Sequence, residues 1–177
     1  MESQVENNVI LVDIQDEPQG VMEKMEAHRK AFLHRAVSVF VFNTKGEWLL
    51  QRRASDKYHS GGLWTNSCCT HPFPGESNAQ AASRRLQQEM GLDVPLTEIF
   101  EFIYKEMLDN DLTEHEYDHV FVGVSDMQPS VNTDEVMEYR YINYLDLKTE
   151  VQHSPERFTY WFMKIMDQVF HTFNEKL

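Results

Sequence analysis

The sequence predicts an α/β fold of the α+β kind, in which a mixed β-sheet is sandwiched between helices. Short β-branched segments alternate irregularly with segments of helical spacing, which argues against a regular βαβ winding. The apolar run Val37–Phe42 is continuous, as in a strand covered on both faces. The helical segments carry apolar residues along one side, as helices packed on a sheet do. Residues 1–177 are predicted to form one domain, with a short N-terminal strand extension and a C-terminal helix.

Strands are predicted where short runs of β-branched and aromatic residues are bounded by turn residues. The predicted strands are Asn8–Asp13, Val37–Phe42, Trp48–Arg52, Ile99–Tyr104, Glu114–Val124 and Met137–Tyr141. Turns are predicted where glycine, proline, asparagine and aspartate cluster, at Asp16–Gly20, Asn43–Gly46 and Asp109–Asp111. The polar segment Ala54–Gly62 is predicted to be a loop.

Three segments have helical character. The first is Val21–Leu33, and the second is Ser77–Met90, which opens on a capping-box pattern and is closed by Gly91. A final helix is predicted to begin at Ser154-Pro155, because proline is favoured in the first turn of a helix. Its apolar stripe is predicted to be buried and consists of Phe158, Phe162, Ile165, Val169 and Phe173.

The charge balance excludes one class of partner. The chain has 16 Lys and Arg against 29 Asp and Glu, a formal net charge of −13, whereas general nucleic-acid binding needs a basic surface. A small anion can still bind where cations cluster, and Arg52, Arg53 and Lys57 lie within six residues of one another. We therefore expect a small anionic ligand and no nucleic acid.

The cysteines and the N-terminus indicate a compartment. Cys68 and Cys69 are adjacent, a spacing unsuited to an ordinary disulfide, so we expect two free thiols in a reducing environment. Met1–Asn8 is polar and acidic rather than apolar, and no apolar run has the length of a membrane span. We expect a cytoplasmic protein that does not enter a membrane.

Cys69 is a candidate for thiol chemistry. It lies in a polar, loop-like stretch, two residues before His71, between a basic segment and the start of a predicted helix. Nearby cations and a helix N-terminus favour the thiolate. The alternative is a packed cysteine without chemistry, which is the ordinary role of a free cysteine. Cys68 would point to the other side of an extended segment, so for Cys68 we keep that ordinary role.

A second group of side chains has the composition of a metal site. Strand alternation places Glu114 and Glu116 on one face and His115 on the other. Together with three histidines they would form a site of mixed nitrogen and oxygen ligands that suits Mn²⁺, Zn²⁺, Fe²⁺ or Mg²⁺, namely His28, His34, His71, Glu114 and Glu116. The alternative is a set of surface histidines and solvated acids, since the five residues are scattered in sequence.

The helix Ser77–Met90 carries part of a known motif. Glu76, Arg84, Glu89 and Gly91 match the Nudix box, a loop–helix–loop motif that binds metal-complexed diphosphate. Thr70 stands where the motif begins with glycine, and two glutamates that pyrophosphohydrolases need for metal are replaced by Arg85 and Gln88. The alternative is a solvated helix in which Arg85 and Glu89 form an ordinary i,i+4 ion pair.

Longer matches make the resemblance more specific. The chain resembles the type I isopentenyl-diphosphate Δ-isomerases of the Nudix superfamily from about Val9 to Trp161. The motifs that carry this resemblance are His34-Arg35-Ala36, Thr65-Asn66-Ser67-Cys68-Cys69-Thr70-His71-Pro72, Gly75-Glu76-Ser77, Glu114-His115-Glu116, Asp134-Glu135-Val136-Met137 and Trp161. The resemblance implies a Nudix-like fold and an isomerase that interconverts isopentenyl and dimethylallyl diphosphate by a 1,3-proton shift.

The resemblance also implies roles for individual side chains. Glu116 would donate a proton, Cys69 would remove one from C2, and Tyr104 would assist Glu116 by hydrogen bonding. Trp161 would face the carbocation with its ring, although core packing is the alternative for a tryptophan at the edge of an apolar stripe.

Two cations and a diphosphate site follow from the same resemblance. The five histidine and glutamate ligands would hold Mn²⁺ or Zn²⁺, and His28 is the least secure of them because its spacing to His34 varies among relatives. A Mg²⁺ ion would join the diphosphate to Glu89 and a backbone carbonyl near Cys69. The diphosphate would be bound by Lys24, Arg53, Lys57 and Arg85.

Two other functions remain open at this point. One is a Nudix pyrophosphohydrolase acting on nucleoside diphosphate derivatives, which Arg85 and Gln88 argue against. The other is a non-catalytic metal-binding or regulatory module, which the set of Cys69, Glu116 and Trp161 argues against. The expected partner is a small prenyl diphosphate, and the expected state is a monomer or a weak homodimer.

Overall fold

A computed structural model describes residues 7–57, 59–108 and 111–176 of the chain. The described residues form one nine-stranded sheet, whose strands are β1 (Asn8–Val12), β2 (Pro18–Glu23), β3 (His34–Phe42), β4 (Trp48–Arg53), β5 (Trp64–Thr65), β6 (Cys68–Thr70), β7 (Thr97–Met107), β8 (Thr113–Val124) and β9 (Val136–Ile142). The helices are α1 (Lys24–Lys30), α2 (Asn78–Met90), α3 (Tyr144–His153) and α4 (Tyr160–Lys176), with a short 3₁₀ turn at Pro155–Arg157. None of the helices in these ranges is long and apolar enough to cross a bilayer.

Strand β3 organises the sheet. It runs parallel to β8, with residues paired from His34 and Glu116 to Phe42 and Val124, and antiparallel to β1, β4 and β6. Strand β7 pairs with β8, and β9 pairs with β4, both antiparallel. The predicted mixed sheet is therefore confirmed.

The two faces of β3 belong to two separate cores. Val37, Val39 and Val41 pack on the side of α2, whereas Phe40 and Phe42 pack on the side of α4. Both sets are almost fully buried. Successive side chains of a strand point to opposite faces, so a continuous apolar run is what a strand with helices on both sides requires. The prediction for this segment is confirmed.

Helix α2 begins and ends as predicted. The Ser77 hydroxyl accepts a hydrogen bond from the backbone of Gln80, and the Gln80 side chain accepts one from the backbone of Ser77. Gly91 ends the helix at φ 65°, and a Cβ atom there would lie 2.6 Å from the carbonyl oxygen of Ser130. Glycine is therefore required at this position both by its backbone conformation and by the close approach of a neighbouring chain segment.

The N-terminal predictions need correction. Pro18–Glu23, placed partly in a turn and partly in a helix, forms strand β2 along the edge of β1. The helix begins only at Lys24, where the Glu23 carboxylate accepts hydrogen bonds from the backbone N–H groups of Met25 and Glu26. Pairing with β1 thus overrides the helical character of the first residues after Gly20, as tertiary contacts often do for short segments.

The C-terminal region differs as well. Helix α3 was not predicted, because only Tyr144 and Leu147 are buried and Leu145 is 73% exposed, so the apolar periodicity is weak. Pro155 begins a 3₁₀ turn, and the long helix starts five residues later at Tyr160. The predicted stripe from Phe158 to Phe173 is nevertheless buried in the core, as expected. In the predicted turn Asp109–Asp111, residues 109 and 110 lie outside the described residues.

The core on the α4 side yields a stability prediction. Phe162 is fully buried, and its ring lies 6.2 Å from that of Phe40 and 5.9 Å from that of Phe158. Phe162→Ala is expected to lower the free energy of unfolding by about 3–5 kcal/mol, because it removes buried apolar surface and leaves a cavity. Urea unfolding followed by circular dichroism measures this change, and a loss below about 1 kcal/mol would show that this core is not rigidly packed.

Candidate active site

A pocket of about 540 Å³ opens beside the carboxyl half of β6 and the start of β8. All predicted site residues except His28 and His34 line it, namely Lys24, Arg53, Lys57, Cys69, His71, Arg85, Glu89, Tyr104, Glu114, Glu116 and Trp161. His28 and His34 are fully buried behind the wall, with ring centres 5.6 Å and 5.0 Å from the ring of His71. The structure therefore brings together residues that are separated by more than a hundred positions in sequence.

Sheet register explains how the reactive groups meet. Strand pairing sets His34 opposite Glu116, and Ser38 opposite Cys69. His34 and Ser38 are four residues apart on β3 and share one face, because side chains alternate along a strand. Cys69 points to the pocket on this face, whereas Cys68 is buried in the core beneath α2, as predicted.

Four ligand-type side chains converge next to the pocket. Ligand atoms of His28, His34, His71 and Glu116 all lie within 4.8 Å of one another. Backbone carbonyl oxygens 2.7 Å and 2.8 Å from Nδ1 of His28 and His34 place a proton on that nitrogen, so Nε2 is the ligand atom of each ring. Burial lowers the pKa of His28, and it lowers the pKa of His71 to about 3. Neutral imidazoles and a carboxylate fit a divalent cation such as Mn²⁺ or Zn²⁺.

Glu114 belongs to an overlapping group. It lies with His28 and His59, and the ligand atoms of these three buried residues are also within 4.8 Å of one another. His59 was not predicted as a site residue, because it lies in a polar segment that was assigned only as a loop. Its position two residues after Lys57 was the one available signal. Burial, followed by the charge of Arg53, lowers the pKa of His59 to about 3, so it too is a neutral imidazole.

The two glutamates have different protonation preferences. The Tyr104 hydroxyl donates to Glu116 Oε2 at 2.7 Å and lies 3.0 Å from Glu114 Oε2. Burial raises the pKa of Glu114 well above its usual value, and the charge of Glu116 adds to this rise. Burial also acts on Glu116, but His34 and His71 outweigh it and hold the pKa of Glu116 well below its usual value. Both carboxyls share one face of β8, as alternation predicts.

Cys69 does not have the charge state that its neighbours in sequence suggest. Its Sγ lies 3.1 Å from Nδ2 of Asn66 and 3.5 Å from Oγ of Ser38. Burial and then the carboxyl of Asp118 raise the pKa of Cys69 to about 12, which outweighs the hydrogen bonds and the charge of Arg53. The prediction that the basic loop and the helix N-terminus favour the thiolate is therefore wrong. Desolvation dominates because the sulfur lies against the sheet.

Four cations, Lys24, Arg53, Lys57 and Arg85, line the same pocket. Burial, followed by the charge of Arg85, lowers the pKa of Lys24 to about 8, and Lys57 and Arg53 act in the same direction. Glu135 offsets part of this charge, since its carboxylate pairs with Lys57 and lies 2.7 Å from Arg85. Mutually repelling cations that are partly buried in one pocket indicate an anion site.

Two ion pairs of the Nudix-box segment lie at different places in the structure. The Glu76 carboxylate accepts two hydrogen bonds from Arg84, at 2.7 Å and 2.9 Å, and a third from the backbone of Phe73, which fixes the loop before α2. Glu89 is buried, pairs with Arg85 and accepts a hydrogen bond from Gln51. The predicted i,i+4 pair of Arg85 and Glu89 is thus present, at the wall of the pocket rather than in solvent.

Trp161 lies between the pocket and the α4 core. The guanidinium carbon of Arg53 is 5.4 Å from its ring centre, and the ring of His59 contacts it edge-on at 5.9 Å. Its Nε1 donates to Oδ1 of Asn66 at 3.2 Å. Only 3% of Trp161 is exposed, and it belongs to the core on the α4 side, yet it also lines the pocket. Trp161 therefore both packs in the core and forms part of the pocket wall.

The cation site gives a direct prediction. His34→Gln removes one of three convergent imidazoles and is expected to lower the affinity for Mn²⁺ by at least about tenfold, since even partners that only orient metal ligands contribute about 10–100-fold. Isothermal titration calorimetry of the metal-stripped protein measures this affinity. His153→Gln, on the surface of α3, is the matched control and is expected to bind Mn²⁺ as the native chain does. Equal affinities in both variants would exclude His34 as a ligand.

Comparisons with known proteins agree with this geometry. The NUDIX domain family matches residues 32–162. An isopentenyl-diphosphate Delta-isomerase from Pectobacterium atrosepticum is 53% identical over 87% of this chain and 86% of its own length. Isopentenyl-diphosphate Delta-isomerase 2 from Photorhabdus laumondii is 51% identical over 90% of each chain.

Solved structures share the fold at much lower sequence identity. A protein from Deinococcus radiodurans has a TM-score of 0.67 at 18% identity, over 82% of this chain and 89% of that one. A MutT protein from Methanosarcina mazei has a TM-score of 0.64, also at 18% identity, over 81% of this chain and 95% of that one. These two likenesses concern the fold alone.

Proposed function

This chain belongs to the isopentenyl-diphosphate Δ-isomerases of the Nudix family and interconverts isopentenyl and dimethylallyl diphosphate, and we propose that Glu116 and Cys69 move the two protons of this reaction. The observation that supports these roles is that both residues line one pocket of about 540 Å³, which four cations also line. A pocket of this volume suits a small ligand, and the cations suit its diphosphate. The isomerisation is a step of isoprenoid biosynthesis.

The chemistry requires an acid and a base in the same cavity. Glu116 donates its proton to C4 of isopentenyl diphosphate, and the π electrons of the C3–C4 bond form the new C–H bond. The tertiary cation left at C3 lies against the ring of Trp161, whose π face stabilises positive charge. Cys69 then takes a proton from C2, and the electrons of that C–H bond form the C2–C3 double bond of dimethylallyl diphosphate. Each transfer is general acid or general base catalysis by a positioned side chain.

The favoured protonation states of Glu116 and Cys69 are those that exist after the forward reaction, not those from which it starts. Conversion of isopentenyl to dimethylallyl diphosphate leaves Glu116 ionised and Cys69 protonated. This is the state that the lowered pKa of Glu116 and the raised pKa of Cys69 favour. A further forward turnover therefore requires that protons be exchanged with water. In D₂O, the forward reaction is expected to place deuterium at C4, and the reverse reaction is expected to place it at C2.

The diphosphate is proposed to lie among Lys24, Arg53, Lys57 and Arg85. Arginine and lysine both form charge-assisted hydrogen bonds with phosphate oxygens. Arg85 occupies the position where a pyrophosphohydrolase carries a metal-binding glutamate, so here the motif supplies a cation for the substrate. Glu89 is proposed to hold Mg²⁺ together with the diphosphate and a backbone carbonyl near Cys69, which is a typical oxygen ligand set for this ion.

The proposed Mn²⁺ or Zn²⁺ ligands are His28, His34, His71, Glu114 and Glu116. A cation bound there supplies a positive charge that fixes the Glu116 carboxyl and adjusts its acidity. The protein's own part is to favour the neutral imidazoles of His28 and His71 by burial, which lowers their pKa values, and to aim Nε2 of His28 and His34 by holding Nδ1 at backbone carbonyls. Tyr104 orients Glu116 from the side opposite His71 by its hydrogen bond to Oε2.

The remaining proposals concern domain organisation, oligomeric state, location and partners. We propose that residues 1–177 act as one domain, as a monomer or weak homodimer in the cytoplasm, without nucleic acid or membrane. The net charge of −13 supports the absence of nucleic acid. Light scattering coupled to gel filtration measures the oligomeric state, and a stable higher oligomer would contradict the proposal.

Incubation with isopentenyl diphosphate and Mg²⁺, followed by chromatographic analysis, tests the catalytic proposal. Appearance of the dimethylallyl isomer is expected. When the solvent is D₂O, the forward reaction should label C4, and re-formation of isopentenyl diphosphate should label C2. The same preparation is expected to release no phosphate from a panel of nucleoside diphosphate derivatives. Phosphate release without isomerisation would support a pyrophosphohydrolase, and metal binding without any turnover would support a non-catalytic module.

A further inference from the structure

Asn66 lies at the centre of a buried polar cluster between β5 and β6. It is fully buried, and its carboxamide contacts both side chains proposed to act at the carbocation. Nδ2 donates to Sγ of Cys69 at 3.1 Å, and Oδ1 accepts from Nε1 of Trp161 at 3.2 Å. The Asn66 carboxamide thus links Cys69 and Trp161 by hydrogen bonds, although these two residues are 92 positions apart in sequence.

The orientation of this carboxamide follows from its neighbours. The backbone carbonyls of Val39 and Cys68 lie 3.1 Å and 2.8 Å from Nδ2, and a carbonyl can only accept a hydrogen bond. The indole N–H of Trp161 can only donate, and it lies on the Oδ1 side. Exchange of the two atoms would set donor against donor and acceptor against acceptor, so the neighbours define a single arrangement.

The sulfur of Cys69 is within reach of both ends of the carboxamide. It lies 3.1 Å from Nδ2 and 3.3 Å from Oδ1. A thiolate can accept from the N–H, and a thiol can donate to the carbonyl oxygen. Because a base gains and loses one proton in every turnover, a group that binds both forms can keep the sulfur in place throughout.

We propose that Asn66 is a positioning residue, which fixes the Cys69 sulfur relative to the Trp161 indole through hydrogen bonds to both; this inference rests on the proposed roles of Cys69 and Trp161. Asn66 is not among the residues that line the pocket, so it acts through Cys69 and Trp161. It fixes the distance between the group that removes a proton and the ring that faces the cation, and misplacement of such a group lowers turnover more than substrate binding.

Several partners compete for the hydrogen-bonding groups of the Asn66 carboxamide, so its bonds to Cys69 and Trp161 depend on each other. The carboxamide has two N–H groups and two oxygen lone pairs. Three acceptors contact the N–H groups, and the oxygen is contacted by the indole of Trp161, the thiol of Cys69 and the hydroxyl of Thr65 at 2.8 Å. A change at the sulfur therefore redistributes hydrogen bonds and alters the bond to the indole.

The coupling of Cys69 to Trp161 through Asn66 can be measured by NMR spectroscopy, without an activity assay. In ¹⁵N-labelled protein, Cys69→Ala is expected to shift the indole N–H resonance of Trp161, whereas Trp48 and Trp64 serve as internal references. Cys68→Ala is the matched control and is expected to leave the Trp161 resonance in place, because the Cys68 side chain lies in the other core. In the Asn66→Ser background, the effect of Cys69→Ala on the Trp161 resonance is expected to fall to less than half. An unchanged shift would overturn the inference.

Kinetics supply a second test of Asn66. Asn66→Ser is expected to lower kcat by up to about a hundredfold, the loss that a misplacement of about 1 Å can cause, while KM changes little because the diphosphate contacts remain. A kcat close to the native value, or a loss confined to KM, would contradict a positioning role.

A third measurement leaves Asn66 intact, in case its variants do not fold. Trp161→Phe keeps an aromatic ring but removes the indole N–H, and it is expected to shift the side-chain amide resonances of Asn66. Trp48→Phe is its control, because Nε1 of Trp48 has no hydrogen-bond partner among the described residues. Equal shifts in both variants would overturn the inference. The proposed function fails separately, if Cys69→Ala keeps native turnover.

Discussion

Replacement of Cys69 by alanine is expected to lower turnover of isopentenyl diphosphate by at least about a hundredfold, since a positioned acid or base contributes about 10²–10⁴-fold. The substitution removes the group proposed to take the C2 proton. It leaves the cationic part of the pocket unchanged, so KM should change little. Because Cys69 is only partly buried and lies where the α4-side core meets the pocket, the thermal unfolding transition should move by only a few degrees.

Cys68→Ala is the matched control for this experiment. It removes the same thiol one residue earlier, from a fully buried position under α2. The control should therefore lose stability, by about 1 kcal/mol or somewhat more for the deleted buried atoms, while keeping turnover. If Cys68→Ala is inactive and Cys69→Ala is active, the two cysteines have been assigned to the wrong sides of the strand.

Much of this arrangement could be predicted because its signals are local. The two-sided burial of β3 follows from its continuous apolar run, and the ends of α2 follow from the capping residues and Gly91. The alternation that places Glu114 and Glu116 on one face depends only on strand geometry. The meeting of these elements in one pocket was not visible in composition or spacing, and it was implied by the resemblance between motifs.

Other features depend on contacts between distant segments. Edge pairing with β1 decides that Pro18–Glu23 is a strand, and no pattern within that segment shows it. The protonation of Cys69 depends on burial and on Asp118, which is 49 residues away in sequence and reaches the thiol through Ser38. The sequence around Cys69 shows only the nearby cations, which is why the predicted charge state was wrong.

Replacement of Glu116 by glutamine is expected to lower turnover by about 10²–10⁴-fold, the contribution of a general acid. The amide keeps the shape of the side chain and can still accept the hydrogen bond from Tyr104, which lies at 2.7 Å. It cannot supply an acidic proton to C4. It also removes a negative charge beside His34 and His71, so Mn²⁺ affinity should fall as well. Turnover is therefore measured at saturating Mn²⁺ and Mg²⁺, with cation binding followed in parallel by calorimetry.

The parallel measurement separates the two roles of this carboxyl. If saturating Mn²⁺ restores near-native turnover in Glu116→Gln, then Glu116 acts as a ligand and another group donates the proton. If turnover stays low although the cation is bound, the acid role is supported. Glu101→Gln is the matched control, because it makes the same chemical change on the exposed side of β7 and removes no group from the pocket. That variant should keep native turnover and native cation affinity, since Glu101 is exposed, does not line the pocket, and its charge is screened by salt.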